Sequence, residues 1–143
     1  MGDLTVAVLD VAELEAFLAG AFPQARLAVA VEAVTDHGVR IRQPFDVAQI
    51  RPGGTISGPT LMTLADTAMY LAVVAAIGPV ALAVTTSLQI DFLRRPAPVA
   101  VVAEAELLKL GSRLAVGEVR LYSEGDAAPV ARASVTYSIP PRS

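Results

Sequence analysis

Two periods divide this chain. Most segments alternate between apolar and polar residues, and one long tract is apolar on every side. That tract, Ser57 to Ile77 (SGPTLMTLADTAMYLAVVAAI), predicts a helix of about twenty residues buried all round. Ser57 and Gly58 suit its cap, and Pro59 suits a first helical position, where a missing N–H costs nothing. Gly78-Pro79 ends it. Earlier in the chain, Val11 to Ala21 places Leu14, Phe17 and Leu18 on one stripe behind Asp10, as a short amphipathic helix does, and Pro23 closes it.

The remaining segments read as strands. Leu27 to Thr35 carries Val29 and Val31, and Asp36-His37-Gly38 turns the chain into Val39 to Gln43. There Val39 and Ile41 face one way and Arg40 and Arg42 the other, which predicts a hairpin with one wet side. Pro44 to Ile56 reads as a loop, with Arg51-Pro52-Gly53-Gly54-Thr55 as its flexible part. After the long helix, Val84, Thr86, Leu88, Ile90 and Phe92 share one face, while Thr85, Ser87, Gln89 and Asp91 share the other. This alternation places Thr86 on the core side and Thr85 opposite. Val99 to Leu110 follows, with Glu104 and Glu106 outward, then Arg113 to Tyr122 and Val130 to Ser138. Their short turns predict an antiparallel meander. The core faces of the last two strands carry Ala115, Gly117, Ala131 and Ala133, which leave room for a thick element against the sheet. The expectation is an α+β fold, a curled antiparallel sheet wrapped around one buried helix.

Composition narrows the possibilities. The 143 residues fit one domain, 1–143, with residues 1–24 as an N-terminal helical extension. Hydrophobic residues make up 54% and charged residues 17%, an excess of apolar surface that an oligomer hides best. The net charge of −3 offers nucleic acid no attraction. The absence of cysteine excludes thiolate chemistry, disulfides and zinc-thiolate sites, and His37 alone makes no His-rich metal site. Thr67 to Val84 is free of charge and about as long as a bilayer span, but Gly78-Pro79 breaks it and much of it is alanine. A protein with no membrane span and no signal peptide is expected, in the cytoplasm.

Asp66 is the single charge in the long helix. A carboxylate there must be paired, hydrogen-bonded or wetted by a pocket. Around it the residues carry a resemblance. Ser57-Gly58-Pro59, four residues, then Leu64-Ala65-Asp66 matches the spacing of a His-Gly-Gly, four variable residues, Leu-x-Asp pattern. Leu88-Gln89-Ile90-Asp91-Phe92-Leu93-Arg94-Arg95-Pro96 matches a strand ending in Phe-Leu-Arg-Pro. On these motifs the chain, from about Asp36 to Tyr137, resembles the PaaI-like acyl-CoA thioesterases of the hotdog fold. The resemblance implies hydrolysis of an acyl-CoA to a free acid and coenzyme A. It implies Asp66 as general base or nucleophile, and the Gly58 N–H as donor to the thioester oxygen. It also implies a Thr early on the next strand that orients water, with Thr85 the nearest match and Thr86 behind it. Ser57 stands where the family has His, Pro59 where it has the second Gly, and Arg51 where many members have Asn.

Spacing adds an independent constraint. Gly58 and Asp66 are eight residues apart, about 12 Å along a helix at ~1.5 Å per residue, so one thioester carbon cannot touch both within one chain. Two antiparallel helices across a homodimer, or within a homotetramer built from such dimers, could bring Gly58 of one chain to Asp66 of the other. The further substrate-binding candidates are Ser57, Pro59, Thr67, Arg94 and Arg113, the arginines for the phosphates of coenzyme A. Plain alternatives stand beside these roles. Asp66 could be a structural acid bonded to Thr63, Thr67 or a donor of a partner chain, Ser57 only a cap, and the arginines solvated charges. No metal or cofactor is implied beyond coenzyme A as part of the substrate. The alternative function is a non-catalytic hotdog protein that binds an acyl-CoA. A hotdog hydratase would need an Asp and His pair that the chain lacks.

Overall fold

The computed structural model describes residues 7–21 and 29–141. The chain runs α1 (Val11–Ala21), β1 (Ala30–Val34), β2 (Gly38–Gln43), a 3-10 turn (Val47–Gln49), β3 (Ile50–Arg51) and β4 (Thr55–Ile56). It continues with α2 (Gly58–Ile77), β5 (Val84–Phe92), β6 (Val101–Leu110), β7 (Leu114–Ser123) and β8 (Ala131–Ser138). Six strands form one antiparallel sheet in the order β1-β2-β6-β7-β8-β5, and α2 packs across its inner face. This is the hotdog fold that the sequence motifs imply. Leu27 and Pro23, expected at the first strand and after the first helix, lie outside the described residues.

Local chemistry sets the limits of α2. The Ser57 hydroxyl accepts the Thr60 N–H at 3.3 Å, Pro59 sits in the first turn, and Gly78 ends the helix at φ 99°, a conformation suited to glycine. From Ala68 to Ala76 the helix is buried all round. The expectation of burial on every side fails nearer the N-terminus, where Pro59, Met62, Thr63, Asp66 and Thr67 make a stripe that reaches solvent, with Met62 41% exposed. Among the described helices, α2 alone is long and apolar enough to cross a membrane, and 67% of its most apolar 18-residue window is buried within the protein.

The small residues of β7 and β8 do receive the helix. Ala115, Ala131 and Ala133 are fully buried, and a Cβ on Gly117 would come 2.5 Å from Met69 Sδ.

The expected meander does not hold for β5. It pairs with β8 at the sheet edge, while β6 pairs with β2 and β7. The connection through Pro96 and Pro98 therefore crosses from one side of the sheet to the other instead of turning tightly. Each proline holds extended backbone and lacks a ladder donor, which fits a crossing segment and not a hairpin. The loop before α2 is also more ordered than its composition suggests, since β3 and β4 pair through Ile50 with Ile56 and Arg51 with Thr55.

Candidate active site

Asp66 sits two turns into α2, half-buried where the helix passes the start of β5. Two hydroxyls reach it. Thr85 donates to Asp66 Oδ1 at 2.6 Å, and Tyr137 Oη lies 2.9 Å from the same oxygen and 3.1 Å from the Asp66 carbonyl. Short bonds of this kind, with an ionised acceptor, are the stronger class of hydrogen bond. Burial, chiefly, raises the Tyr137 phenol far above its ordinary value of 10.0, and the Asp66 charge adds to this while the bond to Thr85 opposes it. Tyr137 is therefore a phenol held protonated, a fixed donor to the carboxylate.

The threonine at Asp66 is the one that alternation placed on the far side. The β5–β8 register slips between Thr85 and Ser87, so an extra residue, Thr86, bulges from the ladder. Thr85 then lies opposite Tyr137, and Leu88 opposite Val135, all on the core side. Thr86 turns away and donates to the Thr136 carbonyl at 3.3 Å. The expected core-facing role of Thr86 is thus corrected: one bulge exchanges the two threonines.

A cavity of about 380 Å³ opens beside the carboxylate. Its lining includes Asp66, Thr67, Tyr70, Ala83, Thr85 and Tyr137, with Leu18 of α1 completing it. The Tyr70 ring lies 6.0 Å from the Tyr137 ring, and its hydroxyl donates to the Ala81 carbonyl at 3.2 Å. Thr67 Oγ1 donates to the Thr63 carbonyl at 2.8 Å, so its hydroxyl is held by its own helix.

Gly58 occupies the other end of the arrangement. It opens α2, and a Cβ added there would meet the Phe92 ring at 3.3 Å, at the far end of β5 from Thr85. A helix leaves its first amides without intrahelical acceptors. Here Pro59 has no N–H, Ser57 Oγ takes the Thr60 N–H, and the Ser57 carbonyl takes the Leu61 N–H at 3.3 Å. The Gly58 N–H is the amide that remains at the positive end of the helix dipole. Ser57 is occupied as a cap, its hydroxyl 2.8 Å from Thr60 Oγ1.

The two arginine candidates divide in the same way. Arg94 is exposed beyond Phe92, near the Gly58 end. Arg113, in the β6–β7 turn, donates Nε to the Ile139 carbonyl at 3.1 Å, near the end of β8 that holds Tyr137. A single chain therefore brings together Asp66, Thr67 and Thr85, leaves Arg113 outside that cavity against Ile139, and keeps Gly58, Ser57, Pro59 and Arg94 at the other end of β5. His37 lies in the β1–β2 turn at the opposite edge of the sheet. Among the described residues no three acidic or imidazole side chains converge on one point.

A family model for the thioesterase superfamily matches residues 53–130, more than half of the chain, from the loop before α2 through β7. The chain belongs to the thioesterase superfamily. It is 36% identical to a candidate esterase of Halobacterium salinarum over 107 residues, 71% of this chain and 70% of that protein. The solved structure of a candidate thioesterase from a Silicibacter species is 43% identical, with a TM-score of 0.87 over 97% of each chain. A thioesterase from Pseudomonas aeruginosa shares the fold at a TM-score of 0.82, covering 98% of this chain and 100% of that one at 22% identity.

Tyr137, Tyr70 and Leu18 join the site without having been candidates. Tyr137 gave a signal in the sequence: a phenol on a strand face otherwise made of Ala and Val needs a hydrogen-bond partner once buried. Leu18 gave none, because an apolar residue on a helix stripe is ordinary.

Proposed function

We propose that the chain is an acyl-CoA thioesterase whose sites are shared between two copies. Membership of the thioesterase superfamily supports thioester hydrolysis as the general activity. The observation that carries the finer reading is the pairing of Asp66 with Thr85 and Tyr137 at the edge of a largely apolar cavity. Both hydroxyls bond Oδ1, which leaves Oδ2 for a water. In the proposed reaction Asp66 takes a proton from that water as it attacks the thioester carbon. Direct attack by the carboxylate, forming an anhydride that water then opens, uses the same residues. The carbonyl oxygen gains charge and is met by the Gly58 N–H of a second copy. Collapse of the adduct breaks the carbon–sulfur bond, and the proton held on Asp66 passes to the departing thiolate, which releases the free acid and coenzyme A and restores the carboxylate.

The separation of Gly58 and Asp66 along β5 supports the shared site, since neither end is complete alone. The open stripe Pro59, Met62, Asp66 on α2 and the exposed edge of β5, where Phe92 is 53% exposed, are the surfaces a second copy would cover. That pairing gathers Arg94 of one copy and Arg113 of the other around one site, where their guanidinium groups suit the phosphates of coenzyme A.

Acid release from a panel of acyl-CoA esters tests this reading. Asp66→Ala should lower kcat at least about a thousandfold, as loss of a base or nucleophile does. Unchanged turnover in that variant would overturn the role of Asp66. The capped Ser57 and the missing amide at Pro59 favour a second reading, a protein that binds acyl-CoA without hydrolysing it. Calorimetric binding of the same esters with no acid released would support the binder over the hydrolase.

A further inference from the structure

One wall of the cavity beside Asp66 comes from α1. Leu18 projects from α1, a helix that is capped at its start and tied to the rest of the fold. Asp10 and Glu13 cap its start reciprocally: Asp10 Oδ1 accepts the Glu13 N–H at 2.8 Å and Glu13 Oε1 accepts the Asp10 N–H at 3.0 Å. Leu14 is fully buried. The Phe17 ring lies 6.0 Å from the Tyr70 ring. Glu15 Oε2 accepts the Val31 N–H at 3.0 Å, tying the helix to β1. Just before α1, the Val8 N–H reaches the Ala75 carbonyl of α2 at 2.7 Å. Leu18 is thus held as a wall and not as a loose side chain.

The cavity's chemistry is as specific as its shape. Asp66 is the one charged residue among those that line it, and the rest is Leu18, Ala83 and their apolar or hydroxyl-bearing neighbours. At about 380 Å³ it falls near the lower end of the ~300–1,000 Å³ of small-molecule sites. We infer that this cavity receives the acyl group, that the group is uncharged and of modest length, and that Leu18 of α1 determines where it ends. The inference rests on the acyl-CoA reading above and adds the substrate class to it. An acyl group ending in a carboxylate would bring a second negative charge toward Asp66 with no cation on the wall to meet it.

The test compares kcat/KM of the full chain for acetyl-, hexanoyl-, decanoyl- and succinyl-CoA, with Kd for each ester measured in parallel on Asp66→Asn. Wild type should prefer hexanoyl- to succinyl-CoA by at least about tenfold, on the scale that desolvating an unpaired charge sets. Leu18→Ala should raise the decanoyl-to-hexanoyl ratio by about tenfold and Leu18→Trp should lower it by as much, with acetyl-CoA moved less than about twofold in both. Equal use of hexanoyl and succinyl esters would overturn the uncharged acyl group. Length ratios that stay within about twofold in both folded Leu18 variants would overturn the wall. If no ester is turned over, the hydrolase reading fails by itself, and the same ratios read from Kd, with Leu18→Ala and Leu18→Trp each combined with Asp66→Asn, still decide the wall.

Discussion

Tyr137 donates to Asp66 across the gap between β8 and α2, at 2.9 Å from oxygen to oxygen. The phenol is deep enough in the fold to stay protonated, so the carboxylate has one partner that stays in its donating form. Thr85 supplies the second at 2.6 Å. Removing the hydroxyl while keeping the ring, in Tyr137→Phe, frees the carboxylate to rotate and leaves the packing against Tyr70 intact. As a positioning residue, Tyr137 should affect kcat more than KM. Loss of one hydrogen bond to a charged group, about 1.5–3 kcal/mol, converts to a kcat some tenfold to a hundredfold lower. Steady-state kinetics on the folded variant check this, and an equal change confined to KM would remove Tyr137 from the chemistry.

The opposite ends of β5 give the second expectation. Gly58 lies against Phe92 and Asp66 against Thr85, so a shared site predicts complementation between two dead variants. In a dimer of one Asp66→Asn chain and one Gly58→Val chain, one site holds both substitutions and the other holds neither. Random mixing of equal amounts makes about half the dimers mixed, and each has one good site of two. Activity should return to about a quarter of wild type after the chains are unfolded and refolded together. Refolded mixtures no more active than the separate variants would show that each chain works alone.

Much of this was legible in the residues, and the failures have physical causes. The limits of α2 follow from cap chemistry that is local to Ser57, Pro59 and Gly78, so sequence suffices for them. The small residues of β7 and β8 announce a helix because an Ala or Gly on a core face means that something large occupies the space. Alternation misassigned Thr85 and Thr86 because it assumes an unbroken pleat, and the bulge between Thr85 and Ser87 is set by pairing with β8, far along the chain. The edge position of β5 was hidden for the same reason: strand order depends on partners, not on the turn that follows. Asp66 is legible as the odd charge in an apolar helix that needs a partner, but that partner, Tyr137, lies 71 residues away and no local pattern joins them.

Gly117 offers a test of the packing beneath the site. A Cβ there would come within 2.5 Å of Met69 Sδ and 2.8 Å of the Glu106 carbonyl oxygen. The methionine can shift, but the backbone carbonyl belongs to the ladder with β6 and cannot. Gly117→Ala should therefore destabilise the fold by about 1–3 kcal/mol, the usual scale of overpacking. It should also displace Met69, one turn of α2 beyond Asp66, and lower kcat without touching substrate. Denaturant midpoints together with kcat check both effects, and a variant as stable as wild type would show that β7 moves away from β6 more readily than the packing implies.

The outer face of the sheet carries the clearest pH dependence. Arg132 on β8 reaches Glu118 on β7 at 3.0 Å and Asp91 on β5 at 3.1 Å, and Arg120 reaches Glu118 at 3.1 Å. The hydrogen bond from Arg132, first, and the charges of Arg120 and Arg132 hold the Glu118 carboxyl below its ordinary 4.5, while burial opposes them. A carboxyl depressed in the folded state binds its proton more readily when unfolded, so stability rises with pH through that interval. The contribution is fully present above 4.5 and disappears as pH falls through the lower, folded value. Both partners are part-exposed, so the network is worth less than about 1 kcal/mol per pair. Glu118→Gln should lower the denaturant midpoint at about pH 7, and its gap to wild type should narrow as pH falls below 4.5 and the folded carboxyl takes up its proton. Added salt should shrink the difference at neutral pH, because it screens an exposed network. A gap between the two proteins that does not narrow at all as pH falls below 4.5 would mean that Glu118 stabilises β7 by shape and not by charge.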